Sequence, residues 1–208
     1  MHSPVVKDGL YYALALSVAG ALVGGLFSVS WSLPIFLVAA FCLYFFRDPE
    51  RTIPEGPVAV SPADGKVVQV WTDDDSTRRV SIFLNIFDVH VNRSPIAGKI
   101  TEQEYKPGRF MMAHREAASL ENEQNTLAIE GPDGRLVVRQ IAGLIARRIV
   151  CDKQIGDAVA KGERFGLIKF GSRTDVFLGP EWELTVAEGD RVRGGSSILA
   201  RRRSEGCA

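Results

Sequence analysis

Cysteine is scarce in this 208-residue chain, and the three present, Cys42, Cys151 and Cys207, stand far apart. An odd number with no C-x-x-C pair offers neither a disulfide framework nor a zinc site. A reducing compartment fits such usage best. An excess of charge of one sign is also missing, since Lys+Arg and Asp+Glu each total 25. No global field therefore points to nucleic acid as a partner. Histidine is the third scarcity: only His2, His90 and His114 occur. No cluster of His, Cys, Asp and Glu has metal-ligand spacing, so no metal is expected.

One stretch lacks charge altogether. From Leu10 to Phe46 there is no Asp, Glu, Lys or Arg. It divides into "LYYALALSVAGALVGGLFS" (Leu10–Ser28) and "WSLPIFLVAAFCLYFF" (Trp31–Phe46). As helices at ~1.5 Å per residue these reach about 28 and 24 Å, close to a hydrocarbon core of ~30 Å. A signal peptide fits poorly, because its apolar region is shorter and no small-x-small site ends this stretch. Lys7 precedes it, Arg47 and Arg51 follow it, and the short middle carries no positive charge. That distribution suits a membrane hairpin with both ends cytoplasmic. A buried soluble hairpin is the competing reading. Whether the hairpin spans the bilayer or re-enters stays open, because its second half is short and Pro34 lies near its start. The expected organisation is a membrane-anchoring hairpin over 1–46, a linker over 47–57 and a soluble domain over 58–208.

After the charged, proline-bearing "RDPERTIPEGP" (Arg47–Pro57) the texture becomes that of strands. Short β-branched runs cover Val67–Trp71, Arg79–Phe87, Leu136–Gly143, Arg164–Phe170, Asp175–Leu178 and Glu183–Val186. Turn signals such as Asp64-Gly65 and Pro132-Asp133-Gly134 separate them. Phe110–Asn125 reads as a helix or a long loop, and a second helix is expected near Ala142–Val150. "GDAVAKG" (Gly156–Gly162) and "GDRVRGG" (Gly189–Gly195) share G-D-x-V-x-x-G. The expected fold is therefore mainly β, an antiparallel pseudo-symmetric sandwich with hairpins like those of lipoyl-type domains.

The chain holds two Gly-Ser steps of interest. Gly195-Ser196 falls in the repeat, where Gly195 occupies the place of Gly162, so a turn explains it. Gly171-Ser172, in "IKFGSRTDVF", has no counterpart. A serine after glycine can attack its own preceding carbonyl, which no side chain shields. The resulting ester can lose the serine α-proton, expel the glycine carboxylate and leave dehydroalanine. Water then gives a pyruvoyl group and ammonia. Such a carbonyl forms a Schiff base with an amine and serves as an electron sink. Alone, a Gly-Ser step says little.

Other stretches make it specific. "SPADG" (Ser61–Gly65), "DVHVNRSP" (Asp88–Pro95), "ENEQN" (Glu121–Asn125) and "KFGSR" (Lys169–Arg173) follow one another after an apolar N-terminus. In this order they resemble phosphatidylserine decarboxylase in its short bacterial and archaeal form, over most of Arg47–Ala208. The resemblance implies self-cleavage between Gly171 and Ser172 into a β chain (1–171) and an α chain (172–208). Ser172 would become the pyruvoyl cofactor, and Asp64 would help to activate it. Long forms carry a second histidine where this chain has Arg93, and they assign it the role of self-cleavage base. An arginine is effectively always protonated and a poor base. Histidine is the side chain that ordinarily titrates near neutrality, so His90 is the candidate for proton transfer. Arg93 is the candidate for holding a substrate carboxylate or phosphate. His114 is the rival base.

The implied activity is conversion of phosphatidylserine to phosphatidylethanolamine and CO2 at the cytoplasmic membrane, with the catalytic domain on the cytoplasmic side. The expected partners are the membrane, a phospholipid substrate and the two chains of one precursor. The oligomeric state is left open, a homo-oligomer included. A pyruvoyl decarboxylase of a soluble amino acid and a membrane-tethered lipoyl-like module are the two rivals. A module of that kind needs a modifiable lysine at a hairpin tip, and Lys169 lies in a strand-like run instead.

Overall fold

The computed structural model describes residues 5–73, 77–108, 122–143, 148–169 and 172–203. It separates into two compact units, Met1–Glu50 and Arg51–Ala208. The first is a pair of helices, α1 (Lys7–Leu26) and α2 (Val29–Phe45). By length and composition α1 is apolar enough to cross a membrane, while α2 is shorter. They pack through small residues. A side chain at Gly9 would run into Phe46, and one at Gly20 would press on Phe36. Large apolar residues such as Leu14, Leu22, Leu33 and Leu37 point outward. Small residues inside and leucines outside is the arrangement that suits lipid. Ser28 caps α2 by accepting the Ser30 N–H at 3.2 Å.

The second unit is antiparallel β throughout its described pairings. Its strands are β1 (Val58–Val60), β2 (Gly65–Thr72), β3 (Arg78–Leu84), β4 (Val91–Arg93), β5 (Gly98–Lys106), β6 (Gln124–Gly131) and β7 (Gly134–Ala142). They continue with β8 (Ile149–Cys151), β9 (Ala158–Val159), β10 (Arg164–Ile168), β11 (Ser172–Leu178), β12 (Trp182–Leu184), β13 (Arg191–Val192) and β14 (Ile198–Arg202). Eight of them form one sheet in the order β13-β2-β3-β11-β7-β6-β5-β9, and two small sheets run β1-β14-β12 and β4-β10-β8. Period-two alternation turns Val80, Ile82, Leu127, Ile129, Leu136, Val138, Val176 and Leu178 to one side of the large sheet. Phe165, Trp182, Leu199 and Ala200 join them in one apolar core.

Two of the sequence expectations change. Where a helix was expected from Ala142, Ala142 closes β7 and Ile149 opens β8; residues 144–147 lie outside the described ones. Of the expected helix or loop over 110–125, Gln124 and Asn125 begin β6, and residues 109–121 lie outside the described ones, His114 among them.

The internal repeat is larger than the glycine pattern suggests. "VAVSPADGKV" (Val58–Val67) and "VNRSPIAGKI" (Val91–Ile100) form its other half, at the same offset. Three pairs of hydrogen bonds recur in both copies. Val60 N donates to Pro95 O at 2.9 Å and Arg93 N to Pro62 O at 2.8 Å. The Ser61 hydroxyl reaches Ala63 O, and the Ser94 hydroxyl reaches Ile96 O. Gly195 N donates to Ser61 O at 2.7 Å and Gly162 N to Ser94 O at 2.8 Å. Gly162 and Gly195 both take positive φ, 77° and 78°, and both abut Ile53. Asp64 and Arg93 fall at positions where the two interlocked copies differ, Ala97 and Val60 standing in their places.

Candidate active site

Ser172 is the first residue of β11, paired with Leu84 of β3 on one side and Ala142 of β7 on the other. It is 0% exposed, and its hydroxyl has no hydrogen-bond partner among the described residues. Alternation places Ser172 and Thr174 on the core side of the sheet, above Val176 and Leu178. Arg173 and Asp175 take the opposite side and pair with each other: Nε to Oδ1 and Nη2 to Oδ2, both at 2.8 Å. The polar run after the Gly-Ser step therefore splits. Two residues neutralise each other on one face, and two hydroxyls enter the core. Gly171 lies outside the described residues.

The neighbour strand is gripped from below. Asn122 Nδ2 donates to Ala142 O at 2.7 Å, and Ala142 N donates to Glu123 O at 3.0 Å. Glu123 also accepts from Tyr105 Oη and from Ile149 N. Asn125 Nδ2 donates to Gln140 Oε1 at 2.9 Å, and Gln140 Nε2 to Asn92 Oδ1 at 2.8 Å. Asn122, Glu123 and Asn125 thus brace the sheet around Ser172.

His90 follows a tight turn in which Asp88 N donates to Asn85 O at 2.8 Å and Asn85 N to Asp88 Oδ2 at 2.8 Å. It is buried, and its main-chain oxygen accepts from Ile168 N at 3.3 Å. Ile168 in turn packs on Ala142, the cross-strand partner of Ser172. These contacts link His90, through Ile168 and Ala142, to the strand beside Ser172. The ring Nδ1 lies 2.9 Å from Asp88 O. A carbonyl only accepts, so Nδ1 carries the proton in the neutral ring and Nε2 carries the lone pair.

Asp64 precedes Gly65, whose missing side chain lets the Phe83 carbonyl approach closely. Lys66 pairs with Phe83, and Leu84 pairs with Ser172. Asp64 is therefore two strands from Ser172 at the same end of the sheet, about 10 Å in backbone terms. Its carboxylate accepts from Arg51 Nη2 at 2.9 and 2.8 Å and from Gly194 N at 2.8 Å. Arg51, a linker residue to the eye, is thus the charge partner of Asp64, and no sequence pattern singled it out. Arg93 closes β4. It is 6% exposed, donates from Nη1 to Gly162 O at 3.0 Å and packs its Cδ where a Gly195 side chain would stand.

The arrangement holds a buried hydroxyl, an imidazole linked to its neighbour strand through Ile168, and a carboxylate anchored by arginine at the same sheet end. This donor set fits conversion of Ser172 into a carbonyl group, since nothing on its hydroxyl competes with attack on the preceding carbonyl. Comparison with known proteins bears on the same residues. The family model of phosphatidylserine decarboxylase matches residues 38–200. A phosphatidylserine decarboxylase proenzyme of Solibacter usitatus is 61% identical over 198 residues, 95% of this chain and 97% of its own. That of Nitrosomonas eutropha is 44% identical over 209 residues, covering 97% of each chain. That of Syntrophus aciditrophicus is 43% identical over 204 residues, 94% of this chain and 96% of its own. The chain belongs to the phosphatidylserine decarboxylase family.

Proposed function

We propose that this chain is a proenzyme that cleaves itself between Gly171 and Ser172 and then converts phosphatidylserine to phosphatidylethanolamine and CO2. The observation that carries the reading is Ser172: fully buried, its hydroxyl unpartnered among the described residues, at the first position of a strand immediately after glycine. Relatives that match nearly end to end bear the name proenzyme. The pyruvoyl group formed from Ser172 would supply a ketone that condenses with the substrate amine and accepts the electron pair left as CO2 departs. His90, once Nε2 has taken up a proton, would deliver that proton to the carbon that loses CO2. Asp64, held by Arg51 and Gly194, would support activation of the serine. Arg93, whose guanidinium suits paired hydrogen bonds to an oxyanion, is proposed to hold a substrate carboxylate or phosphate. The hairpin over 1–46 would keep the catalytic domain at the cytoplasmic face of the membrane.

Denaturing electrophoresis and intact mass test the reading. Wild-type protein should appear as chains 1–171 and 172–208, Ser172→Ala as one uncut chain. Ser196→Ala should still cut, because Gly195-Ser196 belongs to a structural turn. An uncut Ser196→Ala beside a cut Ser172→Ala would move the site to the other step.

A further inference from the structure

The core side of the sheet beneath Ser172 is polar for a single layer. Thr174 stands two residues along β11, directly across from Gln140 of β7. Gln140 bonds Asn92 of β4 and Asn125 of β6. Thr174, Gln140 and Asn92 are 0% exposed and Asn125 is 2% exposed. One step further in lie Val176, Val138 and Leu127, all fully buried and apolar.

Within this layer two atoms have no hydrogen-bond partner among the described residues, Thr174 Oγ1 and Asn92 Nδ2, and Ser172 Oγ above them is the third. Leaving a buried polar atom unpaired costs about 1–3 kcal/mol. Three such atoms around one glutamine side chain call for a shared polar guest. The layer consists of amides and hydroxyls, while the Arg173–Asp175 pair faces the other side of the sheet. A carboxylate would be buried there without a countercharge. A water needs only two to four polar partners.

We propose that Asn92, Gln140 and Thr174 form a water site beneath Ser172, and that its water is the one consumed when position 172 loses its nitrogen. The proposal rests on the pyruvoyl reading above. After elimination, Cα of residue 172 is doubly bonded to Cβ and carries the amino nitrogen. A proton moves to Cβ, the water oxygen bonds to Cα, the C–N bond breaks, and nitrogen leaves as ammonia. No oxidant or reductant is needed. Thr174 and Asn92 touch the water; Gln140 is a positioning residue that fixes the Asn92 amide.

The test follows two signals during cell-free synthesis of the full chain: chain cleavage on a gel, and uptake of a hydrazide label by the small chain. In wild type both should rise together. In Thr174→Val and Asn92→Leu cleavage should proceed while labelling lags by about tenfold or more, the scale of a misplaced reactant. Thr174→Ser should close the gap. Labelling that keeps pace with cleavage in both variants overturns the proposal. If the variants fail to cleave, a crystal structure of the uncut Ser172→Ala chain decides. A water on Thr174 Oγ1 and Asn92 Nδ2 upholds the site, and a floor without one removes it. A wild-type small chain that never takes up label overturns the pyruvoyl reading, and this proposal with it.

Discussion

Asp64 has Ala97 as its counterpart in the internal repeat, and the residues at His90, Asn92 and Arg93 correspond to Pro57, Ala59 and Val60. The copies agree where they build turns and differ where one carries polar side chains. Asp64→Ala therefore makes the two hairpins alike at that position and should leave the fold intact while processing is lost; gel analysis together with circular dichroism checks both halves of that statement. Arg51→Ala tests the anchor. The Arg51 and Asp64 side chains are 10% and 16% exposed, so removal leaves a mostly buried carboxylate with Gly194 N as its remaining donor among the described residues. A loss of about 1–3 kcal/mol is expected, read from urea unfolding, together with slower cleavage. Unchanged stability and unchanged cleavage would free Asp64 from any dependence on the linker. At this scale the sequence was partly legible. Ser172, Asp64 and His90 sit in recognisable motifs. Arg51 does not, and Thr174, Gln140, Asn92 and Asn125 come from four strands far apart in the chain, so no local pattern could have joined them.

Strand recognition succeeded where one face is buried. The runs around β2, β3, β7, β10, β11 and β12 are rich in β-branched and apolar residues. β5, "GKITEQEYK", escaped notice because Ile100 is its one buried position. β6 was not among the expected strands either, and its front opens on Gln124 and Asn125, buried polar side chains that give no apolar alternation. The repeat turns carry an electrostatic element that titration can probe. Glu163 follows the Gly162 turn and pairs with Lys153 at 2.6 Å. Burial works to raise its carboxyl, but hydrogen bonds from Lys153 and Ala160 N outweigh it, and the net shift is downward. Lys153 is raised chiefly by its hydrogen bond to Glu163. A lowered carboxyl contributes stability above its unfolded value and loses it as pH falls through the folded one. A raised lysine loses its share only as pH climbs past the ordinary lysine range. Glu163→Gln should therefore cost about 0.5–1 kcal/mol near neutrality, as partly exposed pairs do. Its stability should also decline less steeply on acidification. An acid limb identical to wild type would remove the pair from the pH dependence.

Asp64, His90 and Ser172, with the Arg51 anchor, all belong to the unit Arg51–Ala208. The apolar helices belong to the other unit, whose outward surface is leucine-rich and whose flanks carry Lys7 and Arg47. The proposed self-cleavage draws only on groups of the β unit, so deletion of residues 1–46 should leave it intact. A substrate with two acyl chains keeps its reacting head group at the bilayer interface, and an enzyme acting on it gains from being held there. The truncated protein should therefore lose far more activity on phosphatidylserine in vesicles than on a short-chain, water-dispersed analogue. Because membrane attachment acts through effective concentration, raising the enzyme concentration should recover part of the vesicle rate. Equal activity of both forms on vesicles would mean that the hairpin is no device for reaching substrate. A truncated enzyme that decarboxylates free serine as readily as the lipid would shift the substrate from phospholipid to soluble amino acid, while leaving the chemistry at Ser172 unchanged.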